Sequence, residues 1–281
     1  MKDKDRLVFY HKADLDGLCS AAVVKKFVSN CDFFGIDYGD EFPYSRINNY
    51  RELIFVDFSL FPFKRMVELA SKKRIILIDH HKTTKEELLS GLGRFFGGVV
   101  EVKKSACELC WDYFSKEKEM PLGVRLLGRY DVWDLKAHPL VLSFQYGMRS
   151  RVKSYDDDIW ELILDDEIEA VRKISEEGEV VLKYQKIQDE KYLEWLSKKI
   201  RFEGFSALII NKGLVNSLSF CPEKNKEVDL FISYVKIPSG LWAVSLYSNG
   251  NVDVSKLAKK YGGGGHAGAA GFHCVELPFD A

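Results

Sequence analysis

Arg74-Ile75-Ile76-Leu77-Ile78-Asp79-His80-His81 is an apolar run that ends in three side chains able to ligate a metal. Such a run reads as a buried strand of a parallel sheet, and its carboxyl end is where an open α/β sheet keeps its ligands. In an extended segment His80 and His81 point to opposite faces, and Asp79 shares its face with His81. One histidine can then ligate a metal while its neighbour does something else. Taken alone, the tripeptide equally suits a polar strand-to-helix turn with Asp79 as a cap. The neighbouring strand ends decide between the two.

Upstream, the strand Leu7-Val8-Phe9-Tyr10 delivers His11, Asp14, Asp16 and Gly17 into a turn, and a helix runs over Ser20–Phe27. Asp14 and Asp16 are two apart, so an extended turn presents both carboxylates on one side, and Gly17 lets the backbone bend away. Phe33–Tyr38 is a second strand, and Leu53–Phe58 a third that carries Asp57. Pro62 starts a helix over Phe63–Lys73, ahead of the strand that ends in Asp79. Downstream, Val99–Val102 is a fifth strand, followed by helices over Ser105–Lys116 and Leu122–Tyr130. The second of these closes on Asp131, with Asp134 as a rival for the same role.

This alternation predicts a mostly parallel sheet, whose carboxyl ends all lie along one edge. His11, Asp14, Asp16, Asp57, Asp79, His80 and His81 would therefore converge. Each has a plain reading as a cap or a solvated turn, but their recurrence at successive strand ends favours a site. Gathered carboxylates repel and protonate unless cations offset them. Oxygen and imidazole donors suit manganese, magnesium or zinc.

A length of 281 residues, 46% hydrophobic and 30% charged, suits a globular protein of one large or two ordinary domains. The net charge of -1 offers no global basic field for long duplex DNA or a membrane surface, so a nucleic-acid partner should be short or gripped locally. The charged start, Met1 to Arg6, leads straight into a strand, and no apolar run approaches membrane-spanning length. With six scattered cysteines, the chain reads as cytoplasmic. Cys107 and Cys110 form a lone C-x-x-C on an amphipathic helix and read as core thiols rather than a zinc or redox pair.

From Asp156 the character changes. Asp165–Ile200 is long, charged and helical, with Gly178 as its one break. Strands follow at Ala207–Ile210, Leu230–Val235 and Trp242–Tyr247, then a helix over Asp253–Tyr261 with Asp253 as cap. Gly262, Gly263, Gly264, Gly265 and His266 come next, and small residues continue into an apolar strand, Phe272–Leu277. Exposed N–H groups in such a loop, beside a helix start at His266, make an anion nest. A flexible linker is the plain alternative. The organisation read from these shifts is a domain over residues 1–155, a helical linker over 156–201 and a second domain over 202–281.

These motifs resemble those of the DHH phosphoesterase family. His11-Lys-Ala-Asp14-Leu-Asp16-Gly17 looks like its first motif, Phe55-Val56-Asp57 its second, Asp79-His80-His81 its third and Tyr130-Asp131-Val-Trp133 its fourth. The Gly-Gly-Gly-His and Ala-Ala-Gly of residues 262–271 are similar to its C-terminal DHH-associated domain. The resemblance implies an α/β fold in which a mostly parallel-sheet domain is joined by a helical linker to a smaller α/β domain. It implies two Mn2+ ions, or Mg2+ in their place. His11, Asp14 and Asp57 would hold one ion, and Asp16, Asp57, His80 and Asp131 the other, with Asp57 bridging.

By the same resemblance Asp79 orients its neighbours and His81, with His266, serves the phosphate or its leaving group. Gly262 to Gly265 and His266 bind the phosphate and nucleoside end of the substrate. Members of the family often carry Arg-Ser where this chain has Leu246-Tyr247-Ser248, leaving Ser248 without the arginine.

The activity implied is a metal-dependent phosphodiesterase, exonuclease-like, that cuts short oligoribonucleotides to mononucleotides. Alternatives are a nucleotide bisphosphate phosphatase, a cyclic-dinucleotide phosphodiesterase and, with less support, a pyrophosphate or polyphosphate hydrolase. A non-catalytic nucleic-acid-binding module is disfavoured because every expected ligand position is filled. The partners implied are short single-stranded RNA or DNA or a small nucleotide, with no membrane, and a homodimer is left open.

Overall fold

The computed structural model describes residues 5–116 and 118–281. The first four residues of the charged start, Met1–Lys4, lie outside the described residues. The chain divides into two compact units, Met1–Leu182 and Lys183–Ala281.

In the first unit the order is β1 (Arg6–His11), α1 (Leu15–Phe27), β2 (Cys31–Ile36), β3 (Glu52–Val56), α2 (Lys64–Ala70), β4 (Arg74–Asp79), α3 (Lys82–Glu87) and β5 (Gly97–Val100). Then come α4 (Ala106–Phe114), α5 (Leu122–Asp131), α6 (Val141–Arg151), α7 (Ile159–Leu164) and α8 (Ile168–Leu196), which runs on into the second unit. The five strands are all parallel, in the order β2-β1-β3-β4-β5.

The central strands are apolar on both faces. Val8, Ile54, Val56, Ile76 and Ile78 enter one core with α1 and α4 to α8, while Leu7, Phe9, Leu53, Phe55, Ile75 and Leu77 enter the other with α2. Burial on both sides is why these segments read as continuous hydrophobic runs. Sheet building reverses direction between β1 and β3, and a crevice opens at the carboxyl ends of strands at such a switch point. His11 ends β1, Asp57 follows β3 and Asp79 ends β4, so the topology brings them side by side.

Several boundaries differ from the sequence reading. Helix α1 begins at Leu15, not Ser20, because Asp14 caps it by accepting from the Gly17 N–H at 2.9 Å. Asp16 and Gly17 thus lie in the first turn of a helix rather than in an extended turn. Gly17 serves close packing instead of a bend: a Cβ there would stand 1.9 Å from the His11 carbonyl oxygen. Strand β2 stops at Ile36, leaving Asp37 and Tyr38 beyond its end, and β5 is shifted toward Gly97. Cys107 and Cys110 are free thiols buried in the core, as expected.

Gly178 does not break its helix. Helix α8 is continuous through it, and a Cβ at Gly178 would stand 1.8 Å from the Ser143 carbonyl oxygen of α6. Gly147 of α6 faces back, where a Cβ would stand 2.0 Å from the Ile174 carbonyl oxygen. The two glycines let the helix backbones touch, which seats Val171 and Ile174 in the core.

The second unit contains β6 (Ser197–Phe202), β7 (Phe205–Asn211), β8 (Leu230–Lys236), β9 (Trp242–Ser248), α9 (Val254–Lys260), β10 (Gly264–Gly265) and β11 (Ala269–Cys274). They form a six-stranded sheet in the order β10-β11-β9-β8-β7-β6, in which only β7 and β8 pair in parallel. Helix α9 packs Val254, Leu257 and Ala258 on one face with Ile209, Ile232, Val244, Leu246 and Phe272. Strand β6 replaces the expected end of the long helix. Its alternation sends Ile200 and Phe202 to this core and Lys199 and Arg201 to the opposite face, while Lys198, on the core side, lies exposed near the start of this edge strand.

Replacing Gly178 by alanine tests the helix contact. Alanine favours an open helix position by about 0.5–1 kcal/mol over glycine, whereas the steric clash here should cost about 1–3 kcal/mol. The expected result is a lower denaturant midpoint for Gly178→Ala; a raised midpoint refutes the contact.

Candidate metal centre

The site grows from the strand ends. The His11 imidazole Nε2 bonds Asp37 Oδ1 at 3.1 Å, while Nδ1 stands 3.0 Å from Asp14 Oδ2 and 3.5 Å from Asp57 Oδ2. Asp57 leaves β3 with φ of 56°, in the left-handed region that aspartate tolerates better than most residues. Its N–H still donates to the Ile78 carbonyl at 2.9 Å, which ties the turn to β4. The other oxygen of this carboxylate, Oδ1, lies 3.4 Å from His80 Nε2. The two oxygens of one buried carboxylate therefore face two different histidines.

His80 Nε2 also stands 3.2 Å from Asp131 Oδ2, at the end of α5, and 3.7 Å from Asp16 Oδ2. Asp16 is buried, and it does more than face the histidine. Its Oδ2 accepts from the Ala106 N–H and its Oδ1 from the Cys107 N–H, each at 2.9 Å, so it closes the N-terminus of α4. Asp79 Oδ1 accepts from the backbone N–H groups of His80 at 2.7 Å and His81 at 3.2 Å, and lies 2.6 Å from His81 Nδ1. The expectation that His80 and His81 point to opposite faces fails. Strand β4 stops at Asp79, the chain turns, and the two rings lie 4.9 Å apart beside Asp57.

Charge explains the burial. Desolvation alone would raise the Asp57 carboxyl, but His11 and His80 outweigh it and hold the group well below the usual carboxylate range. Burial would lower the imidazoles, yet Asp14 beside His11 and Asp131 beside His80, each with Asp57, carry both above their ordinary value. Asp79 does the same for His81. Burial and the nearby Asp57 push Asp16 up to about 7. The protein alone thus keeps protons where a divalent cation would sit.

The donor atoms fit such a cation. The ligand atoms of His11, Asp14 and Asp57 all lie within 4.8 Å of one another, and so do those of Asp16, Asp57 and His80. Asp57 belongs to both groups. The set Asp57, Asp79 and His81 also meets that limit, but Asp79 and His81 already bond each other. His11 Nδ1 and Asp57 Oδ1 are buried and held by ion-pair contacts, to Asp14 and to His80, which a cation between these donor atoms would replace. Carboxylate and imidazole donors suit manganese, magnesium or zinc.

In the second unit no helix starts at His266. Gly264 and Gly265 pair with Gly271 and Ala270 in a tight hairpin, and the His266 N–H donates to the Ala269 carbonyl at 2.7 Å. Gly262 ends α9 with φ of 79°. A Cβ at Gly263 would stand 2.0 Å from the Gly271 carbonyl oxygen. Ser248 lies beside the hairpin: its N–H donates to the Gly268 carbonyl at 3.0 Å, and its Oγ accepts from the N–H groups of Gly250 and Val252.

Sequence reasoning missed Asp37 and Tyr38. They sit just past β2, where the strand-end logic used elsewhere would have found them. It also missed the pair Glu108 and Arg129. Glu108 completes a capping box with Ser105 and pairs with Arg129, two residues before Asp131, so the α4 terminus is tied to both Asp16 and the Asp131 helix.

A metal-dependent phosphoesterase is the class of protein to which this fold and donor set belong. Residues 6–127 match the DHH family, N-terminal domain, and residues 212–277 match the DHHA1 domain. The chain belongs to the DHH family. The uncharacterized protein R106 of Acanthamoeba polyphaga mimivirus is 26% identical over 317 residues, covering 99% of this chain and 70% of that protein. The oligoribonuclease NrnB of Bacillus subtilis (strain 168) is 27% identical over 223 residues, covering 70% of this chain and 52% of its own length. The chain thus matches about half of that oligoribonuclease. An exopolyphosphatase-related protein from Bacteroides fragilis shares the fold with a TM-score of 0.59 at 15% identity, over 99% of this chain and 88% of that one.

Metal uptake must displace the protons held on the imidazoles and on Asp16. Affinity for Mn2+ should therefore rise as pH increases through about 7, with net proton release on binding. Calorimetry in two buffers of different ionisation enthalpy measures that release, and equal heats in both would contradict it.

Proposed function

We propose that this chain is a two-metal phosphodiesterase that releases mononucleotides from short oligoribonucleotides, with Mn2+ as its ion and Mg2+ as the substitute. The observation that carries the reading is Asp57, whose two oxygens face the separate donor groups around His11 and His80. In the proposed assignment His11, Asp14 and Asp57 hold one ion, and Asp16, Asp57, His80 and Asp131 the other. When bound, such a pair lowers the pKa of water and neutralises charge on the phosphate oxygens.

The rest of the chemistry belongs to the chain. Asp79 keeps His81 protonated and fixes its ring, so His81 donates a proton to the leaving oxygen. Gly262 to Gly265, His266 and Ser248 take the phosphate and nucleoside end of the substrate. The likeness to an enzyme named as an oligoribonuclease supports the substrate class. The net charge of -1 favours short substrates over long polyanions. No helix among the described residues is long and apolar enough to cross a membrane, and all six cysteines are free thiols, which supports work in the cytoplasm.

A substrate panel with Mn2+ tests the proposal: an RNA dinucleotide, a pentanucleotide, a long RNA, a cyclic dinucleotide and a nucleotide bisphosphate. Mononucleotides should appear fastest from the short linear RNAs. Turnover confined to the cyclic or bisphosphate substrate refutes the oligoribonuclease assignment. Asp57→Ala should abolish turnover, and near-normal rates in that variant would sink the two-metal scheme. His81→Ala should lower kcat by about 10²–10⁴, whereas His266→Ala should mainly raise KM.

A further inference from the structure

Beyond the metal ligands, the first unit leaves aromatic rings in solvent on the loops after β2 and β3. Tyr38 is 42% exposed, Tyr44 47% and Phe61 39%. Tyr38 stands at the mouth of the donor cluster, its ring centroid 5.5 Å from that of His11 and 6.0 Å from that of His81. Its ring also packs on buried Phe58, at 5.0 Å, and Phe58 directly follows Asp57. The loop that starts at Asp57 then continues outward to Phe61.

There Arg65 joins the rings. Its Nε donates to the Tyr44 hydroxyl at 3.0 Å, one terminal nitrogen donates to the Phe61 carbonyl at 3.3 Å, and the guanidinium lies 5.7 Å from the Tyr44 ring centroid. Tyr44 in turn rests edge-on against buried Phe42, at 4.9 Å. Phe61 lies with its ring centroid 6.3 Å from that of buried Phe63, so each exposed ring is backed by a buried phenylalanine and little side-chain freedom remains to be lost on binding. Asp40, an acid of the same loop, is paired with Lys12 at 2.6 Å.

Rigid rings with one face in water, spaced along a path and joined by a guanidinium, match the chemistry of a single strand: bases stack on the rings and phosphate meets the arginine. The path starts at the histidines that would flank the scissile phosphate. We propose that Tyr38, Phe61, Tyr44 and Arg65 form a stacking track that takes the nucleotides of an oligonucleotide beyond the one being removed. This rests on the oligonucleotide reading given above. It adds that the first unit itself discriminates by substrate length, with a dinucleotide using only the Tyr38 end of the track and longer oligonucleotides engaging Tyr44 and Arg65 as well.

The test uses the full chain and the double variant Tyr44→Ala/Arg65→Ala, both positions outside the donor cluster. Fluorescence anisotropy is read with labelled, phosphorothioate-linked RNA of two and of five nucleotides, alongside Mn2+-dependent cleavage of an ordinary RNA dinucleotide. The track predicts that the variant binds the pentanucleotide about ten-fold more weakly, while dinucleotide binding and cleavage stay unchanged. An unaltered pentanucleotide affinity, or an equal loss for both lengths, overturns the track. Wild-type protein that cleaves no linear RNA overturns the oligonucleotide reading instead, so the two failures are told apart. Tyr44→Trp should retain pentanucleotide affinity, and its loss there would also count against stacking.

Discussion

A carboxylate sealed from water at the end of a central strand must be met by positive charge, and Asp57, 1% exposed, is such a group. Asp16 and Asp79 are buried close by. Without compensation these acids would repel one another, and part of the charge would be lost to protonation. His11, His80 and His81 supply the compensation in the protein alone, which is why each imidazole is driven to hold its proton. A divalent cation at either donor group would satisfy the same carboxylates with more charge and release those protons. The site is therefore a place where the fold accepts electrostatic cost for the sake of a ligand.

That cost is contained by helix ends. Asp14 caps α1, and Asp16, two residues on, reaches across to the first N–H groups of α4. Both carboxylates thus lie in the favourable field of a helix N-terminus. Each oxygen of Asp16 keeps a lone pair beyond its backbone bond, so fastening α4 does not use up its capacity as a ligand. Glu108 extends the brace through Arg129 toward Asp131. The N-terminus of α4 accordingly braces two residues of the second donor group, Asp16 of α1 directly and Asp131 of α5 through Arg129.

The strand ends were legible because they follow from two strong signals, a short apolar run and an abrupt polar end. Three such runs with His11, Asp57 and Asp79 sufficed to place the cluster on one edge of a parallel sheet. What was illegible depended on contacts between distant segments. Gly178 looks like a helix break in a one-dimensional pattern and becomes a helix contact only when Gly147 is known to face it. The reach of Asp16 to Ala106 spans ninety residues and has no local signature. Strand β6 was hidden by its charge, since Lys199 and Arg201 fill the face away from the core and Lys198 breaks the apolar pattern on the face of Ile200 and Phe202, as an edge strand tolerates.

The glycines after α9 show how far composition can be read as function. Four in a row suggested a loop stripped bare for a ligand, yet most of them answer to their own fold. Gly262 ends the helix at positive φ, Gly263 would clash with the Gly271 carbonyl, and Gly265, with φ of 134°, would clash with Ala269. Gly264 differs: a Cβ there would meet nothing within 4 Å among the described residues. An alanine at that position would be sterically free and entropically easier to order. Local packing therefore explains three of the four glycines, and the proposed approach of a phosphate to the backbone is needed only for Gly264.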